Sequence, residues 1–268
     1  MKKKIHLAFT THAVTGASPS FTPVLLIRDH EKDIIRHTTE VKGKIEVASS
    51  HLVTADVPEE HHETHYEDIR VGLTGAQNWY PHTVFLFEEL QEEGKPVETH
   101  PIALRPYLPS LNMVNVSEGA LLLPLNKVSL GNSDTTLNRV LLLIKNSPGR
   151  NSGTKNGITI MIQGKSSTLM QFNIAGGPLK KDGAFLMTVF DFTECTSSDI
   201  ASIELSIQGD DQWKPAGLWM YGIDNRVDEI EHLVSLVSIA DWSATDLGPL
   251  STDPKEGTAK KLLYKAYR

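Results

Sequence analysis

The sequence predicts an all-β chain built from two tandem β-sandwich domains related by internal duplication. Short apolar runs recur between turn signals roughly every 8–15 residues, which is the spacing of sandwich or barrel strands. Helical periodicity is scarce. One unit recurs: residues 68–90 read DIRVGLTGAQNWYPHTVFLFEEL and residues 202–224 read SIELSIQGDDQWKPAGLWMYGID. Each runs as an alternating strand, a glycine, three residues, Trp, one residue, Pro, and a second strand with aromatics. Ile69/Ile203, Gly75/Gly209, Trp79/Trp213 and Pro81/Pro215 all stand 134 positions apart. A repeat of that length points to a duplicated domain, not a short solenoid unit.

Further identities at the same spacing are spread along the unit: Leu7/Leu141, Gly43/Gly177, Leu52/Leu186, Thr54/Thr188 and Glu60/Glu194. Apolar positions follow: Val24, Leu26 and Ile27 fall on Ile158, Ile160 and Met161, and Val71 and Leu73 on Leu205 and Ile207. With a two-residue shift, HPIAL (100–104) resembles HLVSL (232–236).

The strands expected in the first unit are 5–11, 22–29, 33–40, 50–55, 67–74, 83–88 and 99–104. Those in the second are 138–145, 157–163, 168–174, 184–190, 201–208, 217–223 and 232–239. Turn chemistry separates them, as in Ser147–Pro148–Gly149, Asn156–Gly157 and Asp182–Gly183. Seven strands per unit suit a two-sheet sandwich. The expected division is unit 1 over 1–110, a connector over 111–137, unit 2 over 138–242 and a polar tail over 243–268, with Thr258–Tyr267 as one or two helical turns.

Composition bounds the partners. The 268 residues are 40% hydrophobic and 22% charged, ordinary for a globular chain, and two domains fit the length. A net charge of −7 argues against a nucleic-acid partner, which calls for a basic field. The lone cysteine, Cys195, permits no intrachain disulfide. That suits a reducing, cytoplasmic setting or release without a classical signal peptide. Met1–Lys4 imitates the start of a secretory signal, but His6 and Thr10–His12 interrupt a short apolar run, and the repeat assigns it to the first strand. No stretch has the 18 or so apolar residues of a transmembrane helix.

The Gly–Trp–Pro segment carries two readings. Pro81 and Pro215 fit a strand start or edge. Trp79 and Trp213 then plug a sandwich end, each ring buried and its N–H on a backbone carbonyl. Alternatively Trp79, Tyr80, Phe85, Trp213 and Trp219 form an exposed aromatic rim for lipid or sugar. The order of alternating strand, Gly/Asp turn, W-x-P, aromatic strand and Asp in SIELSIQGDDQWKPAGLWMYGID resembles the closing strands of PLAT/LH2-type β-sandwiches. That likeness spans about twenty residues per unit. It implies an eight-stranded sandwich serving membrane, lipid or protein recognition, usually beside a catalytic domain, which this chain does not display.

Other constellations are local. His61, His62 and His65 in EEHHETHYED have metal-ligand density but not the HExxH order of zinc proteases; a solvated loop is the alternative. Asp210, Asp211 and Asp224 flank the Trp213 turn, with Asp182 in another loop. Such oxygens would take calcium, and turn formation explains them equally. Cys195 lacks an evident base and orienting acid, and reads as a passive thiol. No nucleophile elbow, Walker loop or GxGxxG occurs. The function expected is therefore non-catalytic recognition of a membrane surface, glycan or partner protein through loop ends, with avidity from two units and room for oligomers. A part in a secreted toxin or effector assembly and a β-sandwich carbohydrate-active enzyme are the alternatives.

Overall fold

The computed structural model describes every residue except 12–19, 30–31, 39–40, 43–48, 63–65, 75–77, 80, 106–113, 116–122, 126, 133, 150–151, 176, 225–231 and 266–268. The chain divides into two compact units, Met1–Val128 and Ser129–Arg268.

In unit 1 the strands are β1 (Lys2–Thr11), β2 (Ser20–Asp29), β3 (Lys32–Thr38), β4 (Val41–Lys42), β5 (Ser50–Asp56), β6 (Asp68–Thr74), β7 (Asn78–Trp79), β8 (Pro81–Gln91), β9 (Glu98–Arg105), β10 (Val114–Asn115) and β11 (Leu123–Pro124). One sheet has the order β5-β1-β8-β9, the other β11-β6-β2-β3 with β4 beside β2, and β7 pairs with β10. Alternate residues of both sheets meet in one core: Ile5, Leu7, Phe9, Val84 and Leu86 from the first, Leu25, Ile27, Ile69 and Val71 from the second. That is the two-period burial of a sandwich.

Unit 2 contains β12 (Ser129–Leu130), β13 (Thr136–Asn146), β14 (Ile158–Gly164), β15 (Thr168–Ile174), β16 (Phe185–Thr196), β17 (Ile200–Ile207), β18 (Gln212–Trp213), β19 (Pro215–Asp224), β20 (His232–Ile239), β21 (Leu250–Ser251) and β22 (Lys260–Lys265). Its sheets run β12-β20-β19-β13-β16 and β15-β14-β17-β22, and β18 pairs with β21. Placing β13 on β1 and continuing in order reproduces the whole unit 1 arrangement, with β4 and β12 the unmatched extras. Bulges coincide too. The β1/β8 ladder shifts at Thr10/Thr11, opposite Pro81, and the β13/β19 ladder at Lys145/Asn146, opposite Pro215. The β8/β9 and β19/β20 ladders shift at Leu86/Phe87 and at Met220/Tyr221.

These bulges correct the spacing over the first half of the unit. Thr11 falls on Asn146, so β1, β2, β3 and β5 match their counterparts at 135 positions, and 134 holds only from β6 onward. Leu7 therefore matches Leu142, a core residue, and not Leu141, which points to the other face. A slip of one residue in a strand exchanges its faces. Likewise β9 meets β20 at 134, so Ala103 matches Val237 and the likeness of HPIAL to HLVSL is out of register.

The segment expected as connector is shared between the units, contributing β10 and β11 to the first and β12 to the second. The tail belongs to unit 2. The described part of the expected helix is not helical: Lys260–Lys265 lies antiparallel on β17, with Ser202 opposite Lys265, and 266–267 lie outside the described residues. No helix among the described residues is long and apolar enough to cross a membrane.

One titratable group in unit 1 couples this packing to pH. The His51 ring stacks on Phe9 at 5.3 Å and its Nε2 lies 2.9 Å from Ser49 Oγ. Burial lowers its pKa from the ordinary 6.5. The folded chain thus takes up this proton later than the unfolded chain does, so the contribution is present above pH 6.5 and lost as pH falls below it. Urea midpoints should decline from neutral to mildly acidic pH, and His51→Gln should flatten that slope. An unchanged slope in the variant contradicts the assignment.

Candidate functional site

The Trp–Pro corner of unit 2 is built from four segments. After β17 the chain turns at Gly209, whose φ is +80°. A Cβ there would lie 2.6 Å from the Asn156 side chain, so the position is closed to larger residues on both counts. Gln212–Trp213 then pairs with Leu250–Ser251, Trp213 opposite Leu250. Pro215 opens β19 opposite Asn146, where the missing N–H falls at the ladder shift.

Trp213 is fully buried. Its Nε1–H donates to Asn146 Oδ1 at 2.8 Å. Asn146, also fully buried, donates through Nδ2 to the backbone oxygens of Leu179 (2.8 Å) and Lys181 (2.9 Å). The indole thus reaches a side-chain amide instead of the expected backbone carbonyl, and that amide links three loops. In unit 1 Thr11 holds the corresponding place: Thr11 N donates to Ser49 O at 3.0 Å, as Asn146 N donates to Ala184 O at 2.8 Å. The backbone of Trp79 pairs with Val114, as Trp213 pairs with Leu250. The Trp79 side chain and Tyr80 lie outside the described residues.

This geometry corrects the aromatic rim. Phe85 and Trp213 are 0% exposed and Trp219 is 2% exposed. Phe85 and Trp219 lie on the second face of the long-strand sheets, apart from each unit's own core, and that face is apolar and buried in both units through Ala8, Phe87, Leu141 and Tyr221. None of the three rings is open to an external ligand.

The aspartates do not converge. Asp224 closes the ten-residue β19 that Pro215 opens, a span of roughly 30 Å from the corner. Asp211 accepts from Lys155 N and Gln212 N, both at 3.0 Å. Asp182 accepts from Ser152 N at 2.8 Å, Ser152 Oγ at 3.1 Å and Gly153 N at 3.2 Å. The two carboxylates therefore grip the 152–155 loop from either side, while Asp210 is exposed. A cation at Asp182 Oδ1 would compete with these N–H donors.

The histidine cluster resolves similarly. Glu59–His61 is one 3-10 turn. His62 Nε2 is 3.0 Å from Val57 O, and the His62 carbonyl accepts from Lys3 Nζ at 3.1 Å. His65 lies outside the described residues. Among the described residues, no group of three His, Cys, Asp or Glu is placed to hold a metal ion.

A buried charged cluster escaped the sequence reading. Lys3 Nζ pairs with Glu88 Oε2 at 2.9 Å and sits 4.8 Å from the centre of the Tyr66 ring. The Tyr66 hydroxyl donates to the same carboxylate at 3.1 Å. Burial first, and Glu88 second, push the Tyr66 pKa far above its ordinary value. The available signal is phase: Lys3 and Glu88 continue the inward alternation of Ile5–Leu7–Phe9 and Val84–Leu86.

Compared with family models, curated proteins and solved structures, the chain finds no match in any of the three.

Two outcomes are expected. Asn146→Ala strands an indole N–H and two carbonyls and should cost about 3 kcal/mol in urea unfolding followed by Trp fluorescence; a loss below about 0.5 kcal/mol contradicts the role given to this amide. Cys195, whose thiol burial and then Asp199 push up to about 11, should alkylate sluggishly at pH 8, its rate rising only toward pH 11. Rapid alkylation at pH 8 contradicts that environment.

Proposed function

We propose that this chain is a non-catalytic recognition protein in which one sandwich has been duplicated and the copies serve as scaffolds for a partner protein. The observation that carries this reading is the matching order of the ten shared strands, with the β1/β8 and β8/β9 ladder shifts recurring in β13/β19 and β19/β20. Independent origins give no reason for matching bulges, whereas copying does. The likeness to PLAT/LH2-type sandwiches belongs to the same reading, since each unit sets four principal strands against four.

A protein partner is favoured over a lipid surface or a glycan. Those ligands call for exposed aromatics at loop ends, and Phe85, Trp213 and Trp219 are buried. The carboxylates that could have bridged calcium to a membrane hold a loop. Asn146, Asp182 and Asp211 thus support the scaffold, which leaves recognition to loops and sheet edges.

The test combines four assays on the full chain. Liposome co-sedimentation with and without calcium and a glycan array should both be negative, a reducing-sugar assay should show no turnover, and selection from a displayed peptide library should enrich binders. Detectable turnover, calcium-dependent sedimentation or an array hit overturns the reading.

A further inference from the structure

We propose that the side of unit 2 between β20 and β22 receives an extended acidic peptide strand from the partner protein. This rests on the recognition reading above and names where and what that recognition is.

The two edges bounding this side are incompletely paired. β22 closes the order β15-β14-β17-β22, and among the described residues no strand lies on its outer edge. β20 carries the two-residue β12 at His232 and Leu233 only. Beside these edges is a groove of about 410 Å³ with a mixed lining, apolar at Leu130, Leu233 and Tyr264 and polar at Asn132, Ser197 and Ser198. Its floor is buried, with Leu233 at 0% and Ile200 at 1%, while Leu130 is 65% and Tyr264 37% exposed. Leu262 on the same strand is 47% exposed. Three of the four exposed large apolar residues described in the chain therefore belong to this side of one unit.

Unit 1 shows what fits such a gap. There the chain itself leaves the β6 edge and crosses to the β9 edge. Leu125 N donates to Ile69 O at 2.9 Å, Lys127 bridges Ala103, and Val128 N donates to Ile102 O at 3.0 Å. Leu125 enters the core, 6% exposed. The filler is an extended segment with an aliphatic side chain pointing inward. In unit 2, β22 instead runs on along β17 as far as Lys265, its Leu263 packs against the core, and the groove lies beside it.

Charge selects the occupant. β22 reads KKLLYK, with Lys260, Lys261 and Lys265 on a six-residue edge. A second copy adding antiparallel through this edge would set Lys260 against Lys265, a like-charge pairing that opposes association. An acidic strand would find complementary ammonium groups. Burial already lowers the Lys261 pKa, so a carboxylate beside it offsets an existing desolvation cost. Strand addition supplies main-chain hydrogen bonds, and the side chains set the choice. The occupant is a segment that alternates carboxylates with aliphatic residues, one of them covering the groove beside Tyr264.

The test measures fluorescence anisotropy of labelled Val-Glu and Val-Lys alternating peptides on the full chain, its Lys260→Glu/Lys265→Glu variant and its Tyr264→Ala variant. Thermal midpoints confirm that each variant is folded. The acidic peptide should bind, weaken with salt, and lose about tenfold on charge reversal; the basic peptide should gain on the reversed variant. Equal affinity for both peptides, or undiminished binding in both variants, overturns the proposal. So does light scattering that shows a dimer abolished by Tyr264→Ala. Library peptides that bind with no sensitivity to these variants would refute this edge while leaving the recognition reading standing.

Discussion

The buried amide of Asn146 and the indole of Trp213 constrain the whole of unit 2. A large ring inside a sandwich has an N–H that costs about 1–3 kcal/mol if left without an acceptor. An unpaired amide costs more, because it has four valences to satisfy. Here the two groups satisfy one another, and Asn146 spends both remaining donors on the 179–181 loop. The corner fixes where β13 ends, where β19 begins and how the 179–181 loop folds over the sandwich end. Asp182 and Asp211 extend the same lock by holding the 152–155 loop. The turn at Gly209 against Asn156 completes it.

This explains why the most conspicuous motif of the sequence is a poor place to look for a ligand. In unit 2 the W-x-P segment closes a sandwich end, with a buried ring followed by a residue without an N–H. In unit 1, Thr11 and Ser49 stand at the positions of Asn146 and Ala184. The end differs in detail while the frame is kept. What distinguishes the units lies elsewhere: unit 2 has a groove at Leu233 and Tyr264 beside the lysine-rich β22 edge.

Much of the fold was legible. The strands expected over 5–11, 22–29, 50–55 and 83–88, and their partners, follow from two-residue alternation bounded by Gly, Pro, Asn and Asp, and each is a strand of the fold. Register was less so, because an ungapped comparison cannot see the single residue that shifts Leu7 from Leu141 to Leu142. Only the bulges reveal it. Thr258–Tyr267 misled because Lys and Leu suit a helix by propensity, yet the β17 edge supplies hydrogen-bond partners that an isolated turn lacks. Asn146 was invisible since Asn before Ser-Pro-Gly reads as turn former, and nothing in its spacing announces a partner 67 residues away. The Asp224 placement failed for the opposite reason: nearness in sequence was taken for nearness in space, although a ten-residue strand intervenes.

The account stands on the closed Trp–Pro corner, and hydrogen exchange of the Trp213 indole N–H, followed by NMR on the intact chain, addresses it most directly. The structure predicts exchange as slow as that of the β13 core amides, through unfolding of the unit. Exchange at the rate of a solvent-exposed indole, or an indole resonance that moves when lipid vesicles or glycans are added, would contradict it.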